Sequence, residues 1–234
     1  MRINKYLALC GLGSRRKCEE YITNGQIKIG KQVVTNLATD INPKKDKVYL
    51  NDTLLSAPSS YVYYKLNKPK GYICTANDDR GRKTIYSLIN SDVRLFSVGR
   101  LDYNTEGLII LTNDGDFAEK IAHPSHEIDK EYIVKVEGKM LESELAVLRA
   151  GVVENGSRMP PAKVTLLEYA NNISRLSVII HEGQNHQVRR MFDAIGRTIT
   201  LLKRVSIGQV RLGGLKRGEY KPLTNAEYTS LIQR

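Results

Sequence analysis

One short stretch of the chain combines acidic side chains with the glycines of a tight turn. Residues 99–115 read GRLDYNTEGLIILTNDG, so Asp102 and Glu106 directly precede the apolar run from Leu108 to Leu111. A carboxylate beside a buried strand costs several kcal/mol unless a cation or hydrogen-bond donors compensate it. Asp102 is also explained as an ordinary turn residue, because Asp is common in loops. The apolar flanks favour a carboxylate that is kept there for chemistry.

A second stretch supplies the cation that such a carboxylate needs. Residues 182–196 read EGQNHQVRRMFDAIG, and their apolar residues recur at helical spacing as a buried stripe that includes Val188. Arg189 lies about 100° around the helix from Val188, close to the edge of this stripe, whereas Arg190 points further away. We therefore predict that Arg189 pairs with Asp102.

Composition limits the class of protein and of partner. The chain has 234 residues with 41% hydrophobic content, enough for a globular protein with one small and one medium domain. Its formal charge of +11 favours a polyanionic partner, with nucleic acid as the leading candidate. The three cysteines fit neither a disulfide framework nor a zinc site. No apolar run reaches the roughly 18 residues that span a bilayer. We expect a cytoplasmic monomer without a metal and without membrane attachment.

Hydrophobic periodicity and turn residues divide the chain near residue 58. Two short helices come first, short strands follow them, and the segment LLSAPSS ends this unit with the composition of a hinge. Beyond residue 60 we expect mainly strands, at 61–66, 95–99, 108–112, 131–138, 162–169, 174–180, 199–212 and 218–223. Helices are expected at 114–122, 142–150, 184–195 and 224–233. The prediction is an α+β fold with domains at 1–58 and 59–234, the second built on a mixed, mainly antiparallel sheet.

The first unit carries a basic face on its two helices. The residues concerned are Arg2, Lys5, Arg15, Arg16 and Lys17. A solvated surface explains such a cluster equally well. However, the pattern R-x-N-K-Y-L, followed by S-R-R-x-x-E-x-x-I-x-x-G-x-I-x-x-x-G, resembles the alpha-L, or S4-like, RNA-binding module over residues 2 to about 50. The resemblance implies that these five side chains contact RNA phosphates and position the protein without reading bases.

Four further motifs, in order, resemble the RsuA/RluB family of ribosomal RNA pseudouridine synthases. They are LNKPKGY at 66–72, GRLDYNTEGLIILTNDG at 99–115, DKEYIVKV at 129–136 and EGQNHQVRRMFDAIG at 182–196. The resemblance implies a pseudouridine synthase domain that converts uridine to pseudouridine in ribosomal RNA. Residues 202–224 resemble the RluB branch, which implies large-subunit RNA. Breaking the N1–C1′ bond and rejoining uracil through C5 loses no atom and needs no oxidant, so no cofactor is expected.

The family resemblance also implies roles for the residues of the site. Asp102 is the catalytic carboxylate, acting on a flipped-out uridine as a nucleophile or as a base that gives a glycal-type intermediate. Tyr132 lies against the target base, although core packing is an equally good explanation of a tyrosine in a strand. Arg189 is the basic partner of the aspartate. Arg100 occupies the space that the flipped base leaves.

Further residues are assigned to RNA contacts or to the scaffold. Lys68 and Lys70 form a basic turn and, with Arg190, are expected to contact RNA phosphates; a solvated loop is the alternative. We assign Glu106 to the loop scaffold, since no second catalytic carboxylate is required. His186 stands where many members of the family carry arginine.

Two other functions remain possible from the sequence. One is a non-catalytic RNA-binding ribosome-assembly factor, and the other is a small-subunit ribosomal RNA pseudouridine synthase. Asp102 argues against an adaptor, because an acid repels phosphate. A zinc-dependent nucleobase deaminase is excluded, since the chain lacks an H-x-E and C-x-x-C pair.

Overall fold

The structure is a computed structural model that describes residues 1–76, 78–154 and 156–233. The chain divides into two compact units, and the first comprises Met1–Val62 with the short segments Ser91–Arg94 and Asn113–Gly115. The second unit holds Tyr63–Asn90, Leu95–Thr112 and Asp116–Arg234. The α+β class expected from the sequence is confirmed, because helices and a mixed, mainly antiparallel sheet make up the fold.

The first unit combines two helices with a four-stranded antiparallel sheet. Its elements are α1 (Ile3–Leu9), α2 (Arg15–Thr23), β1 (Ile27–Ile29), β2 (Gln32–Val34), β3 (Val48–Leu50) and β4 (Thr53–Leu54). The strands lie in the order β2-β1-β3-β4. Side chains of both helices and of the sheet form one core, which includes Leu7, Ile22 and Ile27, each fully buried. Ser14 caps α2 by accepting a hydrogen bond from the Lys17 amide at 3.1 Å.

The second unit contains eleven strands and four helices among its described residues. The strands are β5 (Tyr63–Lys68), β6 (Phe96–Val98), β7 (Glu106–Thr112), β8 (Lys130–Glu137), β9 (Val153–Glu154), β10 (Ser157–Arg158), β11 (Lys163–Ala170), β12 (Ile173–Ile180), β13 (Ile199–Ile207), β14 (Val210–Arg211) and β15 (Tyr220–Pro222). The α-helices are α3 (Gly115–Ala122), α4 (Glu142–Ala150), α5 (Gln187–Asp193) and α6 (Asn225–Ile232). Single 3-10 turns occur at Ile85–Leu88 and Pro124–His126.

A nine-stranded sheet organises the second unit. Seven strands follow the order β11-β12-β8-β13-β7-β5-β15, while β14 pairs with β13 and β6 pairs with β7. Among the described strands, β7 and β13 form the single parallel pair of this sheet. Every residue of β7 is buried, because α3, α6 and the β13–β14 hairpin contribute to the hydrophobic cluster around Leu108 and Ile110. The strand that follows the acidic loop is therefore the centre of the core.

Close backbone contact between β7 and β13 requires a glycine at position 107. Gly107 has a φ of +111°, and a Cβ atom there would lie 2.1 Å from the carbonyl oxygen of Arg204. An L side chain meets both a backbone clash and a strained conformation at this point. The glycine that follows Glu106 thus fixes the spacing of two strands that border the site.

Two elements differ most in extent from the sequence expectation. The helix expected at 184–195 is observed at Gln187–Asp193, because His186 has a left-handed φ of 51° and cannot continue it. The strand expected at 199–212 breaks at Gly208, whose φ of +54° lets the chain reverse into the β13–β14 hairpin. Both breaks arise from single residues with positive φ, which hydrophobic periodicity does not detect.

Candidate active site

A cavity of about 250 Å³ lies within the second unit, beside the loop that precedes β7. The loop contributes Arg100 and Asp102 to its lining, β8 contributes Tyr132, and β13 contributes Arg204. His186, at the start of α5, completes the polar wall. The side chain of Asp102 is 36% exposed, so its carboxylate is accessible to a molecule in the cavity. The cavity therefore brings together a carboxylate, a phenol, an imidazole and two guanidinium groups.

The carboxylate of Asp102 is paired with His186. Nε2 of the imidazole lies 3.3 Å from Oδ1 of Asp102, which has no other ion-pair partner within the described residues. His186 precedes α5 in the left-handed region, a sparsely populated conformation that is enriched at functional sites. His186 was assigned no role from the sequence, where its position in the motif was the only signal for it.

The predicted ion pair between Arg189 and Asp102 is wrong. Nη2 of Arg189 instead donates to the carbonyl oxygen of Asn104 at 3.0 Å and to Oγ1 of Thr105 at 3.4 Å. The helical phase correctly directed Arg189 towards the loop. The carbonyl oxygens of the loop, however, also need donors, and the partly exposed carboxylate is paired with His186, the residue before the helix. Arg189 therefore holds the loop that carries Asp102, rather than the carboxylate itself.

The predicted phosphate contact of Lys68 is also wrong, because this side chain is fully buried. Its Nζ donates to the carbonyl oxygens of Pro69 at 3.1 Å, Asp102 at 2.9 Å and Thr105 at 2.8 Å. The amide of Thr105 donates to the same Asp102 carbonyl at 3.0 Å, which closes a tight turn. Burial lowers the pKa of Lys68 to about 8. A buried lysine and Arg189 thus fix the loop from two sides.

Tyr132 lies on β8 and is only 7% exposed. In the sheet its neighbours in register are Val178 on β12 and Arg204 on β13, so the three side chains share one face. The phenol ring lines the cavity, and its oxygen makes no hydrogen bond to any residue that the structure describes. A flat ring with a free hydroxyl is suited to contact a planar base.

Two buried cations of the cavity were missed by the sequence analysis. Arg204 is 4% exposed; its Nε donates to the Leu108 carbonyl oxygen at 2.7 Å. Nη2 of Arg204 is buried and has no partner among the described residues. Lys130 donates to the carbonyl oxygens of Ile128 and His181, both at 2.9 Å, and burial, followed by the charge of Arg204, lowers its pKa to about 8. Arg204 lies between Leu202 and Ser206 on the buried face of β13. This alternation of buried and less buried residues could have identified it.

Glu106 lies outside the cavity lining and binds an arginine. Nε and Nη2 of Arg217 donate to its two carboxylate oxygens at 3.1 and 3.2 Å. The side chain of Glu106 is 9% exposed, whereas that of Arg217 is 65% exposed. This bidentate pair supports the assignment of Glu106 to the scaffold at the start of β7.

No group of three His, Cys, Asp or Glu side chains is arranged to hold a metal ion in the part of the chain that the structure describes. The same residues contain no helix with the length and apolar character needed to cross a bilayer.

Comparison with known proteins decides the family. The model of the RNA pseudouridylate synthase family matches residues 62–194, and that of the S4 domain matches residues 1–48. The first match covers more than half of the chain. The chain belongs to the RNA pseudouridylate synthase family. Its amino-terminal unit is an S4 domain, as the sequence motifs indicated.

Other RNA pseudouridylate synthases resemble the chain over nearly its whole length. Ribosomal large subunit pseudouridine synthase B of Bacillus subtilis (strain 168) is 41% identical over 98% of this chain and 95% of the relative. Ribosomal small subunit pseudouridine synthase A of Haemophilus influenzae is 35% identical over the full length of both. A crystal structure of a pseudouridylate synthase shares 33% identity and a TM-score of 0.73, covering 99% of this chain and 100% of the other.

The remaining basic residues predicted to contact RNA differ in their surroundings in this pseudouridylate synthase. Arg100 is exposed at the cavity, and Lys70 is exposed beside the loop. Arg190 is bound by Glu154, with Nε 2.5 Å from Oε2, so its predicted phosphate contact would compete with an ion pair.

The basic residues of the S4 domain also differ in their exposure and in their contacts. Arg15 and Arg16 are exposed at the start of α2. Lys17 is bound to Glu20 at 2.6 Å, and Arg2 donates to the Ala38 carbonyl oxygen and to Asp40. The fifth predicted residue, Lys5, is half-buried on α1.

Proposed function

We propose that this synthase isomerises a specific uridine, or a few, in large-subunit ribosomal RNA. The relative with 41% identity is named for the large subunit, and the relative with 35% identity for the small subunit. The higher identity and the RluB-like residues 202–224 favour the large-subunit substrate. We further propose that the protein acts as a monomer in the cytoplasm, where its free cysteines and its RNA substrate would both be expected.

The carboxylate of Asp102 would attack or deprotonate the ribose of the target nucleotide. The observation that carries this assignment is its place in the cavity, on a turn whose backbone is held by Lys68 and Arg189. A fixed turn keeps the carboxylate in one position, which lowers the entropic cost of reaching C1′ or C2′. Either route breaks the N1–C1′ bond without a cofactor.

The neighbouring residues would hold the base and replace it in the RNA. Tyr132 would stack on uracil and support it while it turns, because its ring forms part of the cavity wall. The exposed guanidinium of Arg100, two residues before Asp102, would occupy the gap that the extruded base leaves. The exposed side chains of Arg15 and Arg16 in the S4 domain, together with Lys70, would bind phosphates and carry no sequence information.

A genetic and biochemical experiment tests this function. Ribosomal RNA from cells that lack the gene is mapped for pseudouridine, and purified protein is then added to that RNA. We expect one or a few sites to be missing from the large-subunit RNA and to be restored by the wild-type protein. We expect Asp102→Asn to restore none, whereas Asp193→Asn, an exposed matched control at the end of α5, restores them normally.

Each part of the proposal has a contrary result. Sites missing only from small-subunit RNA would refute the large-subunit assignment. Full ribosomal RNA modification without the gene, together with no activity of the purified protein, would refute ribosomal RNA as the substrate. Restoration by Asp102→Asn at the wild-type rate would refute the catalytic role of the carboxylate.

A further inference from the structure

Two cations face the cavity without an acidic partner. Arg204 and Lys130 both line it, and neither forms an ion pair within 4.0 Å inside the described ranges. Arg204 is anchored by one hydrogen bond through Nε, while its Nη2 is buried and unpartnered. Among the described residues that line the cavity, Asp102 alone carries a carboxylate, and it is paired with His186. The cavity wall therefore carries uncompensated positive charge.

Such an arrangement is costly unless something negative binds there. A buried charge without a partner destabilises the fold, and a buried donor without an acceptor adds a further cost. Both costs are offset when an acceptor or an anion occupies the cavity. Arg204 lies beside Tyr132 in the sheet, so the buried donor that needs an acceptor lies where the base would stack.

The isomerisation itself produces a suitable anion. When the N1–C1′ bond breaks, its electron pair stays on N1 and delocalises over the uracil O2 and O4 atoms, whether Asp102 attacks C1′ or removes a ribose proton. After the ring turns, C5 bonds to C1′ while the Asp102–C1′ bond breaks or, on the glycal-type route, while C2′ regains the proton that Asp102 removed. The C5 proton then leaves and N1 takes up a proton. The uracil ring thus carries the negative charge only from the time the N1–C1′ bond breaks until the C5–C1′ bond forms.

We propose that Arg204, with Lys130 beside it, binds the carbonyl oxygens of the detached uracil ring and stabilises its anion. Guanidinium suits this role, because it remains charged at every working pH and its plane is fixed here by the Leu108 carbonyl. Donors that are already oriented towards developing charge lower a barrier most effectively. The inference rests on the proposed function, since it requires a uridine in this cavity.

Changing the acidity of the uracil ring, which is the leaving group, distinguishes stabilisation of the ring anion by Arg204 from a purely structural role. The single-turnover rate is measured on two short ribosomal RNA fragments that differ only in uridine or 5-fluorouridine at the target site. Fluorine withdraws electrons and stabilises the ring anion, so the enzyme has less to supply. The readout is loss of the original nucleoside after nuclease digestion, which counts N1–C1′ cleavage whatever product forms.

We expect Arg204→Gln to slow the uridine reaction by about 100-fold or more. The rate loss on the 5-fluorouridine RNA should be smaller than this by a factor of about ten or more. Arg204→Lys should recover part of the loss, and Lys130→Gln should show the same pattern more weakly. Arg211→Gln, an exposed arginine on the adjacent β14, should react like wild type on both RNAs.

Several results would overturn the inference. Equal loss on the two RNAs would mean that Arg204 acts on folding or on RNA binding, and an unchanged uridine rate would mean that it has no role. If Arg204→Gln does not fold, Arg204→Lys and Lys130→Gln are tested in its place. Equal losses of rate on both RNAs in these variants would also refute the inference. Inactive wild-type protein would refute the proposed function instead, which keeps the two failures distinguishable.

Discussion

Nε2 of His186 lies 3.3 Å from Oδ1 of Asp102, across a gap of 84 residues in the chain. The imidazole keeps the carboxylate oriented. A guanidinium can also donate to a carboxylate, so arginine is the conservative replacement at this position.

We therefore expect His186→Arg to stay within about tenfold of the wild-type rate, because a guanidinium can donate to the same carboxylate. We expect His186→Ala to lose about 10- to 100-fold in single-turnover rate, because the carboxylate loses its orienting partner. The rates are measured with saturating RNA, so that binding does not contribute. A loss for His186→Arg as large as that for His186→Ala would contradict the pairing role of the imidazole.

Lys68 should control the geometry of the Asp102 turn. Lys68→Met keeps much of the side-chain volume but removes three hydrogen bonds to carbonyl oxygens. We expect the single-turnover rate to fall by about 100-fold or more, since a displacement near 1 Å has that cost. RNA affinity should change less than about threefold. Lys70→Met, its exposed neighbour, should instead weaken RNA binding and leave the chemical step unchanged.

The same lysine predicts a dependence of stability on pH. The folded pKa of Lys68 is about 8 against an ordinary 10.5, so between these values the unfolded chain binds more protons and stability rises with pH. The raised pKa values of Cys18 (about 11) and Tyr6 (about 12) act in the opposite sense above pH 9. The informative quantity is therefore the difference between wild type and Lys68→Met.

We expect this difference in the free energy of unfolding to increase on the order of 2 kcal/mol between pH 7.5 and 10. Urea denaturation of the two proteins at both pH values measures it. A difference that stays constant would show that folded Lys68 keeps its proton up to pH 10, as the unfolded chain does, and that burial does not lower its pKa.

The carboxylate of Glu106 should matter for stability more than for chemistry. Glu106→Gln breaks the bidentate pair with Arg217, although an amide can still accept one of the two hydrogen bonds. We expect a loss of about 1–3 kcal/mol in the free energy of unfolding and less than a tenfold loss in rate below the melting transition. A rate loss as large as that of Asp102→Asn would identify a second catalytic carboxylate.

Gly107 should tolerate no side chain. In Gly107→Ala the new methyl group would lie 2.1 Å from the Arg204 carbonyl oxygen, so β7 and β13 must separate. We expect insoluble protein or a melting temperature lowered by several degrees, with little residual activity. Gly115→Ala is the matched control, because a Cβ there meets nothing within 4 Å and the backbone needs no positive φ. Its melting temperature should stay close to that of wild type.

Much of the fold could be predicted from the sequence, since the features that set it are local. The caps of α2 and α6 follow from Ser14 and from Thr224 with Glu227, and the structure contains both. Apolar periodicity correctly located the six helices and the long strands of the described chain. The ends of α5 and β13 were predicted less well, because they depend on positive φ angles at single residues.

The candidate site was predicted in outline but not in its contacts. Sequence motifs indicated Asp102 and Tyr132, and both line one cavity. Whether a basic side chain reaches a carboxylate, a carbonyl oxygen or solvent depends on a few ångströms of three-dimensional placement. Helical phase cannot give that distance, which is why Arg189 and Lys68 were assigned the wrong partners. Alternation could have placed Arg204 on the buried face of β13, but its position at the cavity depends on which strands lie beside β13.

The order of strands in the large sheet has a consequence for the protein during its own synthesis. Strand β13 lies between β7 and β8, which do not pair with each other. It is nevertheless synthesised long after both of them. A growing polypeptide therefore holds two half-sheets with an open seam until residues 199–207 have emerged and been inserted. Because Arg204 arrives with that last central strand, the cavity beside Asp102 and Tyr132 lacks part of its wall until this strand has joined the sheet.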